Sequence, residues 1–189
     1  MDEAVTATNG DVLVWGGCDR ESVPNCDDAL EVPLTDGAIY DPDNDAWTML
    51  PAGPLDGGAG AMAVDTSWEG RVVVVVPHPV ERDASTVAAI DPISLEWTEL
   101  PPLPGGAGKR ASALTWTGTD VVAWGGYTES YSEETDAGFV LDPVLGRWHA
   151  LEPGGGARRG HVMVWTQHGL LIAGGSPTSR PVLFTPQPG

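Results

Sequence analysis

The sequence predicts an all-β protein made of repeated units of short antiparallel strands, and three observations lead to this prediction. Short apolar runs are bounded at regular intervals by Gly, Pro and Asp, which is typical of strands joined by turns. No window sustains the 3.6-residue period of an amphipathic helix, so helix should be scarce. An Asp-Pro pair and a tryptophan recur together along the 189 residues, which indicates an internal repeat.

The repeat markers keep one period. Three segments read AIYDPDNDAWTMLP (38–51), AAIDPISLEWTELP (88–101) and FVLDPVLGRWHALE (139–152). The Asp-Pro pair and the tryptophan both advance by 50 and then 51 residues from one segment to the next. Two independent markers in one phase make a chance resemblance implausible.

A third marker is a Gly-Gly pair that closes an apolar run. It occurs in DVLVWGG (11–17), DVVAWGG (120–126) and GLLIAGG (169–175), and RVVVVVP (71–77) is a degenerate copy in the same phase. A period near 50 residues with four strands per unit predicts the blades of a β-propeller. We place the blades of a single domain at about 1–53, 54–103, 104–153 and 154–189, with the last one incomplete.

These segments resemble kelch repeats, in which an apolar strand ends at Gly-Gly and is followed by a Tyr-Asp-Pro-type turn and a tryptophan. The likeness is strongest to bacterial kelch-repeat proteins with VWGG and GAIYDP-like segments. Leu141 replaces the aromatic residue before the third Asp-Pro, the second repeat lacks the glycine pair, and the fourth lacks the tryptophan. The resemblance implies a kelch-type β-propeller of about four blades of four antiparallel strands, with a galactose oxidase-like fold.

The resemblance also implies structural roles for the repeat residues. The glycines would let the backbone bend out of the second strand where a side chain would collide with the neighbouring blade. The tryptophans would each fill the space between adjacent blades, and an aromatic ligand cage is the alternative. These residues are Gly16, Gly17, Gly125, Gly126, Gly174, Gly175, Trp47, Trp97 and Trp148.

Kelch rings usually contain six or seven blades, so about four blades predict an incomplete or truncated ring. A misassigned start, with the true start upstream of Met1, belongs to the same prediction. An open array and a self-associating half-ring are the alternatives. Unpaired edge strands would make any of these prone to self-association.

Charge and hydropathy disfavour two classes of partner. Twenty-seven acidic and nine basic residues give a formal charge of −18, which repels phosphate backbones and disfavours a nucleic acid partner. The longest aliphatic run, Val72 to Val76, is far shorter than the roughly 20 residues that span a bilayer. We therefore expect no membrane span.

The N-terminus, MDEAVTATNG, lacks the basic and apolar regions of a secretory signal. A cytoplasmic protein is expected unless the true start lies upstream, in which case an extracellular or cell-envelope location stays open. Cys18 and Cys26 lie eight residues apart. They could form a small disulfide in an oxidising compartment, or remain free thiols.

The sequence predicts no cofactor, no metal and no catalytic residue. Asp41, Asp43 and Asp45 alternate like the opening of a calcium loop, but Ala46 stands where its glycine belongs. The repeat explains that segment as a turn. The four histidines have no metal-ligand spacing, and no G-x-S-x-G elbow occurs. Galactose oxidase holds copper with two tyrosines and two histidines, one of each adjacent in sequence; no tyrosine here neighbours a histidine, which disfavours copper oxidation.

The best candidate for a ligand site lies on the face of the kelch blades where the Gly-Gly loops meet the links into the next blade. The links GGAGKR and GGGARRG place two basic pairs at equivalent positions on this face. Guanidinium groups there could hold a carboxylate, a sugar acid or an acidic peptide. Alternatively they brace the loops by pairing with nearby acids. The candidate ligand-binding residues are Lys109, Arg110, Arg158, Arg159, Tyr127 and Tyr131.

Two functions follow as expectations. One is a non-catalytic binding or scaffold module that recognises a protein or a carbohydrate through the loops of the Gly-Gly face. The alternative is an enzyme that acts on a carbohydrate or sugar acid, as some kelch propellers do, and the fold does not decide between them.

Overall fold

The computed structural model describes residues 3–17, 34–56, 60–77, 85–104, 112–127 and 133–185. Over these ranges the chain forms fifteen β-strands and no helix. The prediction of an all-β fold with little helix is therefore confirmed. The described residues include no helix that is long and apolar enough to cross a membrane.

The strands form four antiparallel sheets, here called blades 1 to 4, and each sheet pairs only strands that follow one another in sequence. Blade 1 contains β1 (Glu3–Thr8), β2 (Asp11–Gly16), β3 (Gly37–Asp41) and β4 (Ala46–Met49). Blade 2 contains β5 (Met62–Asp65), β6 (Val72–Pro77), β7 (Ser85–Ile90) and β8 (Trp97–Leu100). Blade 3 contains β9 (Ala113–Trp116), β10 (Val121–Trp124), β11 (Gly138–Asp142) and β12 (Arg147–Leu151). Blade 4 contains β13 (Arg159–Thr166), β14 (Gly169–Ser176) and β15 (Val182–Phe184).

Successive up-and-down sheets of this kind are the blades of a β-propeller, as the repeat predicts. Within the described residues blade 4 has three strands where the others have four, and no ladder joins one sheet to another. The chain divides into two compact units. Met1–Pro102 holds blades 1 and 2, and Leu103–Gly189 holds blades 3 and 4.

In the first unit, blades 1 and 2 pack face to face. The period-2 alternation of β2 buries Leu13 and Trp15 on one side of blade 1, which we call its front face. The side of blade 2 that meets it is the back face of blade 2, and it includes Val74, Ile90 and Trp97. β6 is buried along its whole length, which accounts for its uninterrupted valine run.

The second unit repeats this arrangement. Val122 and Trp124, on the front face of blade 3, form a buried cluster with Leu170 and Ile172, on the back face of blade 4. Front face against back face is therefore the contact between blades in each unit.

The Asp-Pro turns share one geometry. Oδ1 of Asp91 accepts hydrogen bonds from the backbone N–H groups of Ile93 (2.8 Å) and Ser94 (3.2 Å), and these bonds lower the pKa of Asp91. Asp41 and Asp142 accept from the residues two and three positions further on in the same way. Four positions past each aspartate one residue has a positive φ: Asp45 (49°), Leu95 (60°) and Gly146 (60°).

Candidate functional site

The Gly-Gly end of blade 3 is tied to the start of blade 4 by backbone hydrogen bonds. Gly125 and Gly126 have φ values of 74° and 93°, which turn the chain out of β10. The N–H of Gly126 donates to the carbonyl of Arg158 (2.9 Å), and the N–H of Arg158 donates to the carbonyl of Thr135 (3.3 Å). Gly126 and Thr135 therefore lie beside the link that leads into β13.

Gly125 occupies a point of close approach between the two blades. A Cβ atom at this position would lie 2.6 Å from Cε1 of His161 and 2.9 Å from the carbonyl oxygen of Arg158. Gly174, at the same repeat position in blade 4, has φ 71° but nothing within 4 Å of such an atom. The absence of a side chain at Gly125 is thus required by the neighbouring blade as well as by the backbone conformation.

Arg159, Tyr127 and Glu134 form a surface cluster at this end, which we call the Arg159 cluster. Nε of Arg159 donates to Oε1 of Glu134 at 3.1 Å, and its guanidinium carbon lies 4.9 Å from the centroid of the Tyr127 ring. An isolated antiparallel bridge between Tyr127 and Glu134 holds the two loop positions together. The Arg159 side chain is 39% exposed, so the guanidinium is oriented by its neighbours while remaining in contact with solvent.

Arg158 has a different environment from its neighbour in sequence. It is 1% exposed, and its guanidinium donates to the backbone carbonyls of Arg180 (3.0 Å), Gly155 (3.1 Å) and Gly156 (3.3 Å). Through these hydrogen bonds the Arg158 side chain joins the link before β13 to the segment before β15. It is not placed to meet a ligand from solvent.

His161, two residues past Arg159 in β13, is buried. Its ring packs edge to face on Trp124, with centroids 5.0 Å apart and planes at 82°. Burial, and then the positive charge of Arg158, lower the pKa of His161 to about 4. The imidazole is therefore neutral at physiological pH and acts as a packing group.

The three repeat tryptophans do not share one environment. Trp97 packs edge to face on Trp15 of blade 1, and its Nε1 donates to the carbonyl of Pro51 at 3.1 Å. Trp148 is half-buried. Trp47 is 61% exposed because no sheet of the first unit covers its face, so it does not fill a space between blades here as the resemblance implies.

The remaining predicted residues lie outside the described ranges. They are Lys109, Arg110, Tyr131, Cys18 and Cys26. Among the residues that are described, no group of three or more histidine, cysteine, aspartate or glutamate side chains is placed to hold a metal ion. Asp41 instead uses both carboxylate oxygens within its turn, where the Asn44 side chain contributes most to lowering the pKa of Asp41.

Comparison with models of known protein families and with curated proteins finds no match. A solved structure described as "Structure of YjhT" is similar to this chain, with a TM-score of 0.68 and 19% sequence identity. The similarity covers 92% of this chain and 58% of the solved one. This chain therefore spans less than two thirds of the length of the solved chain. The likeness shows the fold alone. The β-propeller architecture is supported along nearly the whole chain, and the kelch assignment stays a prediction.

Sequence reasoning named both Arg158 and Arg159 as ligand-binding candidates but could not separate their roles. Adjacent residues of an extended segment point to opposite sides, and here Arg158, just before β13, is buried whereas Arg159, its first residue, is partly exposed. Nothing local in the sequence indicates which of the two is buried, because that depends on where the Arg180 carbonyl lies. The role of His161 was also missed, since a single histidine in a strand carries no local signal of burial.

Proposed function

We propose that this protein is a non-catalytic binding module that holds a carboxylate-bearing ligand at the Arg159 cluster. The observation that supports the proposal is the position of the partly exposed Arg159 guanidinium over the Tyr127 ring while its Nε donates to Glu134. The ring contact and the hydrogen bond to Glu134 together restrict the position of the guanidinium before a ligand arrives. Preorganisation of this kind lowers the entropic cost of binding.

The ligand chemistry follows from the donors. A guanidinium carries five N–H groups in a planar fork, and the Nε–H is the one that meets Glu134. A ligand carboxylate can bind the fork through two parallel hydrogen bonds, or can replace Glu134. Because partly exposed ion pairs contribute little to stability, exchanging one carboxylate for another costs little.

The ligand is accordingly an acidic side chain of a protein or the carboxylate of a carbohydrate. Because the protein has a formal charge of −18, repulsion at long range opposes such a ligand at low ionic strength. Binding should therefore strengthen when salt is raised from low to physiological concentration. The enzymatic alternative receives no separate support from these contacts.

The test is titration calorimetry of the full chain with matched ligand pairs, glucuronate against glucose and an acidic peptide against its amidated form. Arg159→Gln should weaken binding of the charged member of a pair by about ten-fold or more, as expected for the loss of a charged hydrogen-bond partner. Arg147→Gln is the matched control, since Arg147 is exposed and begins β12 at the Asp-Pro turn. Equal binding of both members of each pair, or equal loss in both variants, would contradict the proposal.

A further inference from the structure

The two faces of blade 1 differ in exposure although both are apolar. Its front face, with Leu13 and Trp15, is buried against blade 2. Its back face presents Val5, Trp47 (61% exposed) and Met49 (62% exposed) to solvent. Such a patch of large apolar side chains is a candidate interaction surface.

The repeat identifies what kind of surface this is. Trp47 occupies the repeat position of Trp97, and Val14 that of Val74 in the second strand of its blade. Val5 pairs with Val14 in blade 1 as Ala63 pairs with Val74 in blade 2. In blade 2 these positions form the back face, which packs on the front face of the preceding blade. The back face of blade 1 is therefore one half of a contact between blades.

A groove of about 200 Å³ lies on this face. Val14, Ala38, Trp47 and Met49 line it together with Gly16, Asp36 and Gly37. The groove is apolar except at Asp36. It suits the side chains of another sheet better than a charged ligand.

Blade 4 presents the complementary half. Val164, Leu171 and Leu183 lie opposite one another across β13, β14 and β15, and all three are exposed. Val162, on the same face of β13, is 71% exposed. In β14 the back-face residues Leu170 and Ile172 are fully buried, so Leu171 lies on the front face.

We propose that the front face of blade 4 in one copy of this chain packs on the back face of blade 1 in a second copy. The contact continues the front-to-back packing found in each unit of the chain. A second copy is the occupant because each copy carries both halves of the contact. The association uses sheet faces and leaves the edge strands out, unlike the edge pairing that the sequence predicts.

An interface between two different patches is heterologous, and it either closes into a ring or continues as a chain of copies. The formal charge of −18 on each copy opposes the contact, whereas neither face is itself highly charged. Association should therefore increase with salt, because screening weakens the repulsion and leaves the apolar contact intact.

The test measures the mass of the full chain by sedimentation and native mass spectrometry over a range of concentration and salt. Wild-type protein should associate, and Trp47→Glu (back face) and Val164→Glu (front face) should each give mainly single copies. A one-to-one mixture of the two variants should recover a dimer, because each variant supplies the face that the other has lost. Ile93→Glu is the control, since Ile93 is exposed in the Asp-Pro turn of blade 2 and belongs to neither face.

Three outcomes would overturn the proposal. Wild-type protein that stays a single copy at every concentration and salt would show that the faces have another occupant, such as further blades. Self-association retained in Val164→Glu but lost in Trp47→Glu would show a back-to-back contact. A mixture that fails to recover dimers would exclude the heterologous arrangement. Met49→Glu (back face) and Leu183→Glu (front face) provide a second pair of variants for the same measurements. Unchanged circular dichroism of each variant verifies its fold.

Discussion

Trp15 of blade 1 and Trp97 of blade 2 meet edge to face, with ring centroids 5.1 Å apart and planes at 75°. The Trp97 ring also lies over Gly53, where a Cβ atom would come within 2.7 Å of it. The contact between these blades therefore depends on an aromatic pair and on a glycine that makes room for it.

Trp97→Ala should lower the free energy of unfolding by about 3 kcal/mol, because it leaves a cavity beside Trp15 and removes the hydrogen bond to Pro51. Trp68→Ala is the matched control. Trp68 is half-buried in the turn before β6, where Arg71 lies over its ring at 5.6 Å, and its loss should cost about 1 kcal/mol or less. Denaturant unfolding of both variants checks this, and equal losses would contradict the role assigned to Trp97.

Gly125→Ala and Gly174→Ala separate backbone strain from crowding. Both glycines have φ near 70°, so both substitutions incur about 1 kcal/mol of left-handed strain. At Gly125 the new methyl group also collides with His161, which should add about 1 to 3 kcal/mol. Thermal unfolding should therefore show a distinctly lower melting temperature for Gly125→Ala. A larger effect of Gly174→Ala would mean that neighbouring blades do not set the requirement for glycine.

Arg158→Met should destabilise the protein by about 3 kcal/mol, since it leaves three carbonyl groups without their donor. Arg159→Met should cost about 1 kcal/mol or less, as expected for a partly exposed ion pair. For ligand binding the order should be reversed, with the larger loss for Arg159→Met. Chemical denaturation of both variants measures their free energies of unfolding. A loss for Arg159→Met as large as that for Arg158→Met would contradict the structural role assigned to Arg158.

The lowered pKa of His161 should make the folded protein less stable in mild acid. Its pKa is about 4 in the folded protein and about 6.5 in an unfolded chain, so between these values the unfolded state binds more protons. Stability is therefore lost as the pH falls from about 6.5 to 4, by up to about 3 kcal/mol. His161→Phe keeps a ring against Trp124 and should flatten the pH dependence of unfolding in this window. If the variant and the wild type lose the same amount, His161 is not the group responsible.

The strands and their phase could be predicted because their markers are local. Turn residues bound each strand, and blade 2 forms in register although Val76 and Pro77 replace its glycine pair. Residue environments could not be predicted where they depend on contacts distant in sequence. Arg158 is buried because the Arg180 carbonyl lies within reach, and Trp47 is exposed because no sheet of its unit covers it.

The Asp-Pro turns have a consequence for the order of folding. Asp142 fixes its turn through hydrogen bonds that span no more than three residues, so the hairpin of β11 and β12 can close before any contact between blades. The Trp15–Trp97 contact joins residues 82 positions apart and should form late. In stopped-flow experiments Asp142→Ala should mainly slow folding, and Trp97→Ala should mainly accelerate unfolding. Blades 1 to 3 would then each take shape from the hairpin at the Asp-Pro turn, and the packing of one blade on the next would complete the native state.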